Sequence, residues 1–299
     1  MNWIQLRLTV DQDSVAEFEE WLFANDSSSV TFQDAEDQPI LEPGVGETPL
    51  WDKVIMVALF EGTVDTKQIQ NRLEQSNFWI QVHSSRWEVL EDKEWIRAWM
   101  DDYHPMQFGK RLWVCPSWEA APHPEAVNIF LDPGLAFGTG THPTTALCLG
   151  WLDEQVDTGQ QLVDYGCGSG ILAVAALKLG VEKVTAIDHD PQALQATRDN
   201  ANRNSIAEQR LQIFLPGEYK PVVADGLVAN ILAEPIRELA ELFAIQVKAG
   251  GWVALSGILE YQAESIVKLY SQWFYMNEPV IMGEWALVSG VRKKFNGEH

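Results

Sequence analysis

The sequence predicts an α/β protein, a doubly wound parallel sheet closed by a terminal antiparallel hairpin, preceded by a smaller ferredoxin-like α+β domain. Three observations predict it. From Gln161 onward, apolar strand-like runs alternate with helical patterns. The chain ends in two strand-like stretches, Trp273–Met282 and Trp285–Lys293, joined by the tight-turn pair Gly283-Glu284. The first ninety residues read strand, helix, strand, strand, helix, strand.

In chain order, Trp3–Val10 alternates apolar and polar residues at the period of a strand. Ser14–Asn25 follows as a helix, with Val15, Phe18, Trp21 and Leu22 on one face and Ser14 as its expected N-cap. Ser28–Gln33 is a second strand, and the Pro- and Gly-rich residues 37–52 form a loop. Lys53–Phe60 is a strand, Thr66–Gln75 a helix and Phe78–Leu90 a long alternating strand. Residues 91–104 are expected to be a linker helix, with Trp95, Ile96, Trp99 and Met100 on one stripe. Two short strands follow, Arg111–Pro116 and Val127–Leu131. A Gly/Thr-rich turn from Asp132 then opens a helix near His142, with Pro143 in its first turn. The expected parallel strands are Gln161–Tyr165, Lys183–Asp188, Leu211–Leu215, Gly226–Ile231 and Gly251–Ser256, with helices near 169–180, 191–204, 234–248 and 260–272. The expected domains are 1–90, a connecting region 91–118, and 119–299.

Composition narrows the function. The chain has 299 residues, 46% hydrophobic and 21% charged, which are globular proportions and a prior of about two domains. No apolar run approaches the ~18 residues of a membrane helix, and the N-terminus lacks a secretory pattern. Cys115, Cys148 and Cys167 share no CxxC spacing, which fits a reducing cytosol and a cytoplasmic location. The formal charge of -22 would repel a phosphate backbone, so a nucleic-acid partner is not expected. Residues 1–104 hold 21 of the 43 acidic residues but only 7 of the 21 basic ones, a bias that serves solubility or attracts a basic partner.

The strongest local signal is Asp164-Tyr165-Gly166-Cys167-Gly168-Ser169-Gly170 at the end of a buried strand. Glycines there let a backbone approach a ligand, and α/β sheets bind ligands at the carboxyl ends of their strands. The spacing is G-x-G-x-G. A dinucleotide fingerprint would place a small residue where Ile171 stands. An acid at position 164 is poorly placed for a pyrophosphate and suits a cationic ligand, such as the amino group of a methionine moiety. Asp188 ends the second strand of the parallel region, where a carboxylate can accept both ribose hydroxyls of a nucleoside. Asp190, before Pro191, is expected to cap the next helix. Asp188-His189-Asp190 is disfavoured as a metal cluster, because neighbours on a strand end point opposite ways; no metal is expected. Asn230 ends an apolar strand facing the same crevice and carries both an acceptor and a donor. His142 is expected to serve the helix start, and Cys167 to be a small residue in a tight turn.

These residues resemble the class I, Rossmann-like methyltransferases that use S-adenosylmethionine. More specifically, Asp132–Thr145, with its Phe137-Gly138-Thr139-Gly140-Thr141-His142 core, resembles the hallmark of the bacterial PrmA family. That family methylates the ribosome's large-subunit protein eleven. The Asp164–Gly170 loop, Ala229-Asn230-Ile231-Leu232 and the N-terminal module match its other landmarks, so the resemblance runs end to end. It implies cofactor contacts at Thr145, Gly166, Asp188 and Asn230, to which the loop reading adds Asp164, Gly168 and Gly170. It implies trimethylation of lysine side chains and of an α-amino terminus, with a ribosomal protein as partner, held by the N-terminal domain. Many amino-methyltransferases carry an aromatic residue in the tetrapeptide that here reads Asn230-Ile231-Leu232-Ala233. Phe137 is the candidate replacement. Asn230 is the expected catalytic residue, its carbonyl aiming the amine. A monomer is expected. The alternatives are an NAD-dependent oxidoreductase, opposed by the missing third glycine and the terminal hairpin, and a non-catalytic docking module, opposed by the intact loop with Asp188 and Asn230.

Overall fold

The computed structural model describes residues 3–36, 50–90, 103–132 and 142–294. The expected linker helix, most of the 37–52 loop, and the 133–141 turn with Phe137 lie outside these residues. The chain divides into two compact units, Met1–Asp102 and Tyr103–His299.

The first unit contains β1 (Trp3–Asp11), α1 (Val15–Ala24), β2 (Ser29–Asp34), β3 (Lys53–Glu61), α2 (Thr66–Glu74) and β4 (Val82–Leu90). Its sheet has the order β2-β3-β1-β4, and every pairing is antiparallel. Period-two alternation sends Leu6, Leu8 and Val10 of β1 and Val54, Met56, Ala58 and Phe60 of β3 to one face. There they pack with Phe18 and Leu22 of α1 and Ile69 and Leu73 of α2. Asp65 caps α2, its side chain accepting from the Gln68 N–H at 3.1 Å. Two local expectations change. Ser14 holds the N-cap position of α1 but makes no side-chain cap bond, because a 3₁₀ turn over Gln12–Ser14 leads into the helix. The strand expected from Phe78 begins at Val82. Trp79–Gln81 is a 3₁₀ turn, and the Phe78 ring packs edge-on against Phe18, centroids 5.0 Å apart.

The second unit opens with a three-stranded sheet, β5 (Met106–Phe108), β6 (Leu112–Cys115) and β7 (Val127–Phe130). Residues 103–118, expected to belong to the connection, therefore pack within this unit. Its helix α3 (Pro143–Gln155) is followed by β8 (Gln161–Tyr165), α4 (Ile171–Lys178), β9 (Lys183–Ile187), α5 (Pro191–Arg203), β10 (Leu211–Phe214) and β11 (Ala224–Asn230). Then come α6 (Ala233–Glu238), α7 (Ala240–Gln246), β12 (Val247–Leu259), α8 (Glu260–Tyr270), β13 (Phe274–Met276), β14 (Val280–Met282) and β15 (Trp285–Arg292).

The large sheet has the order β10-β9-β8-β11-β12-β15-β13, with β14 also on β15. Strands β10 to β12 along this path are parallel, and β15 is antiparallel to β12. Leu162 and Val163, neighbours on β8, enter separate cores on opposite faces. One core is shared with α3 and α4, the other with α6, α7 and α8. The direction of strand progression reverses between β8 and β11, which makes their carboxyl ends the topological switch point.

The helix expected over 234–248 is two helices broken at Leu239, and Val247 leaves it to pair with Ala224 as the start of β12. The first limb of the terminal hairpin is two short strands rather than one. Pro279, which has no N–H to donate, lies between β13 and β14.

Candidate functional site

Strand β8 runs straight into the glycine loop. The Gly166 and Cys167 N–H groups donate to the Ile187 carbonyl at 2.8 and 3.0 Å, folding the loop over the end of β9. Gly166, Gly168 and Gly170 all have positive φ, at 78°, 54° and 77°. At two of them the chain also needs space. A Cβ on Gly166 would lie 2.1 Å from Ile231 Cγ2, and one on Gly170 would lie 2.7 Å from Thr197 Cγ2. Gly166 thus lets the loop pass under the residue after Asn230, and Gly170 lets α4 begin against α5.

Asp188 follows β9. Its Oδ2 accepts from the Gly168 N–H at 2.8 Å and its Oδ1 from the Asp190 N–H at 3.0 Å, so one buried carboxylate pins the loop and the turn into α5. Asp190 caps α5 as expected, accepting from the Gln192 N–H at 2.8 Å with Pro191 in the first turn.

Asp164 precedes the loop on β8. It has no exposed surface, and its Oδ2 accepts from the Ala173 N–H at 3.0 Å. Oδ1 is buried, with no hydrogen-bond partner among the described residues. Burial, reinforced by the Asp188 charge, pushes the Asp164 carboxyl up to about 7. The Cys148 and Cys167 thiols are also pushed up by burial, which keeps them protonated and unreactive.

Asn230 ends β11, and its Nδ2 donates to the Thr145 hydroxyl at 3.2 Å. Thr145 is fully buried in the first turn of α3. His142 is the N-cap of that helix. Its Nδ1 accepts from the Thr144 N–H at 3.4 Å and lies 2.8 Å from the Thr144 hydroxyl, and burial holds the imidazole below its ordinary value. The ring packs edge-on against Trp285 at the start of β15, centroids 5.0 Å apart. The switch point is therefore flanked by Asp188 after β9 and Asn230 at the end of β11, with the glycine loop of β8 between them.

Sequence reasoning missed the inner face of α5. Thr197 donates to the Gly168 carbonyl at 3.0 Å, and Asn200 Nδ2 to the Ser169 carbonyl at 2.8 Å. The available signal was the run Asp199–Asn204, in which polar residues recur on the side of the helix that also carries Ala193, Leu194 and Ala201. Among the described residues, no group of three or more His, Cys, Asp or Glu side chains is placed to hold a metal ion.

The chain matches, over residues 2–293, the family model described as ribosomal protein L11 methyltransferase (PrmA). It is 53% identical over 294 residues to proteins named ribosomal protein L11 methyltransferase from Shewanella sp. strain ANA-3 and from Shewanella amazonensis. Each match spans 98% of this chain, and 100% and 99% of the respective relatives. A crystal structure of a ribosomal protein L11 methylase from Lactobacillus delbrueckii subsp. bulgaricus is 31% identical, with a TM-score of 0.58, over 64% of this chain and all of that one. The second unit has the class I methyltransferase fold, and the oxidoreductase alternative is not favoured. By sequence along nearly its whole length, the chain belongs to the PrmA family of ribosomal protein L11 methyltransferases.

Proposed function

We propose that this protein transfers methyl groups from S-adenosylmethionine to ribosomal protein L11, on lysine side chains and the α-amino terminus, up to the trimethylated state. The observation that carries the reading is the placement of Asp188 and Asn230 on the two strands that flank β8 and its glycine loop. The residues fit a cationic nucleoside cofactor. Asp188 presents a carboxylate for ribose hydroxyls, and the buried Oδ1 of Asp164, without a hydrogen-bond partner among the described residues, is an acceptor for the ligand's ammonium group. Thr145, Gly166, Gly168 and Gly170 complete that set.

When bound, S-adenosylmethionine supplies an electrophilic methyl group. The remaining chemistry belongs to the chain and the amine. The amine nitrogen must attack neutral, yet a free lysine has a pKa of about 10.4 and is mostly charged near pH 7. Burial beside a positive centre lowers that value. The Asn230 carbonyl accepts an amine N–H and aims the lone pair along the line of displacement, and the displaced proton leaves to water. Positioning of this kind supplies rate without a strong base. His142, held neutral and engaged as a cap, is a structural neighbour of this arrangement. Phe137 is the candidate for the aromatic face that Asn230-Ile231-Leu232-Ala233 lacks. A ring face suits a permanently cationic methylated amine.

The first unit is read as a ferredoxin-like domain, supported by its βαββαβ order and β2-β3-β1-β4 sheet, and its acidity suits a lysine-bearing partner. The protein is taken to act as a cytoplasmic monomer without nucleic acid. Among the described residues no helix is long and apolar enough to cross a membrane. The test is mass spectrometry of L11 incubated with the enzyme and S-adenosylmethionine. Stepwise methyl additions that map to lysines and the α-amine are expected; an unchanged L11 mass contradicts the reading.

A further inference from the structure

The inner face of α5 carries a continuous polar connection between two parts of the catalytic unit that are far apart in sequence. Asn200 is buried. Its Nδ2 donates to the carbonyl of Ser169 inside the glycine loop at 2.8 Å, and its Oδ1 accepts from Arg203 Nη1 at 2.5 Å. The other end of the same guanidinium, Nη2, lies 3.4 Å from Asp132 Oδ2. Asp132 in turn accepts from the Ser117 N–H at 2.7 Å and the Ser117 hydroxyl at 2.8 Å. One turn along, Asn204 holds the Phe130 backbone at both ends, accepting its N–H and donating to its carbonyl, each at 2.8 Å. The connection therefore runs Ser169, Asn200, Arg203, Asp132, Ser117.

We propose that Asn200 and Arg203 are positioning residues that set the glycine loop against Asp132, so that a change at Asp132 is read out as cofactor affinity. The proposal rests on the reading that the glycine loop holds S-adenosylmethionine. The chemistry of each link supports it. An amide in a buried site can donate at one end and accept at the other, which makes Asn200 a two-way connector. A guanidinium presents separate nitrogens in a fixed fork and can grip Asn200 and Asp132 together, which an ammonium on a flexible stem cannot do in that geometry. Loss of Asn200 removes the hydrogen bond it donates to the loop carbonyl of Ser169, and loss of Arg203 removes a donor to the buried Asn200 Oδ1. Asp132 lies well before the loop in sequence, and Arg203 and Asn200 connect the two through their side chains.

The test is a double-mutant cycle read by calorimetric titration of the full chain with S-adenosylmethionine, with the melting temperature of each variant as a folding control. Asp132→Asn is a conservative change at a partly exposed site and is expected to weaken binding about three- to tenfold, the range of an ordinary hydrogen bond. Asn200→Ala is expected to weaken it about tenfold. The two together should weaken it no more than Asn200→Ala alone, because the connection is already cut. Arg203→Lys, which keeps the charge but not the fork, should match Asp132→Asn. Wild-type affinity in folded Asp132→Asn, or additive effects in the double variant, would overturn the relay while leaving the cofactor site standing. No binding by the wild-type protein would overturn the cofactor site and the relay with it.

Discussion

The side-chain amide of Asn230 donates to the hydroxyl of Thr145 at 3.2 Å, so the end of β11 and the first turn of α3 share one hydrogen bond. The bond fixes which way the amide faces. With Nδ2 committed to Thr145, the carbonyl oxygen is the end available to a ligand, and among the described residues no hydrogen bond occupies it. A helix that begins at a His cap thus orients the residue expected to aim the amine.

Asn230→Ala should lower turnover even at saturating S-adenosylmethionine, because an interaction made in the transition state is lost. Asn230→Asp should shift the rise of activity to higher pH. Its carboxylate would stabilise the protonated amine, which cannot attack. Steady-state kinetics across pH check both. Unchanged turnover and an unmoved profile would reduce Asn230 to a tether.

Thr145→Val keeps the volume but removes the acceptor. Asn230 is only partly buried, so losing this hydrogen bond costs about 0.5–1.5 kcal/mol, the net worth of an ordinary one. The expected outcome is a lower melting temperature, with turnover reduced less than in Asn230→Ala, since the carbonyl remains but its orientation loosens. Turnover equal to wild type would show that the bond does not orient Asn230.

Asp164 makes stability depend on pH. Its folded value is raised from 3.8 to about 7, so the folded state holds the proton more tightly than the unfolded one. The resulting stability is fully present below about 3.8 and is lost as pH rises through about 7. Asp164→Asn removes this dependence. In the protein without cofactor, its melting temperature relative to wild type should rise between pH 5 and pH 8. A constant difference across that range contradicts the buried, unpaired carboxyl.

A chain shortened to begin at Tyr103 should still bind S-adenosylmethionine but fail to methylate intact L11. The cut belongs there rather than near Glu119, because β5 and β6, with Leu112, Val114 and Cys115 fully buried, are part of the second unit. Full activity of the shortened chain on intact L11 would remove substrate docking from the first unit.

Much of the site was legible because Asp188 and Asn230 each close a short apolar run, and strand ends at a switch point face the ligand crevice. The loop was legible from its glycines, although the space they leave is taken by Ile231 and Thr197, contacts between segments distant in sequence. The burial of Asp164 was not legible. Nothing in Val163-Asp164-Tyr165 says on which side of the loop the carboxylate falls, and the outcome depends on the Ala173 N–H at the start of α4. Thr197 and Asn200 escaped notice because polar residues on a helix read as a solvated face. The departure of Val247 into β12 follows from pairing with Ala224, which no local pattern announces.

The dissociation constant of S-adenosylmethionine for wild type and for Asp188→Ala, measured by calorimetry on folded protein, decides whether this crevice holds the cofactor. Hydrogen bonds to a charged group are worth about 1.5–3 kcal/mol, so the account expects binding by wild type and a loss of about ten- to a hundredfold in the variant. An unchanged dissociation constant in folded Asp188→Ala would contradict the assignment of this crevice as the cofactor site.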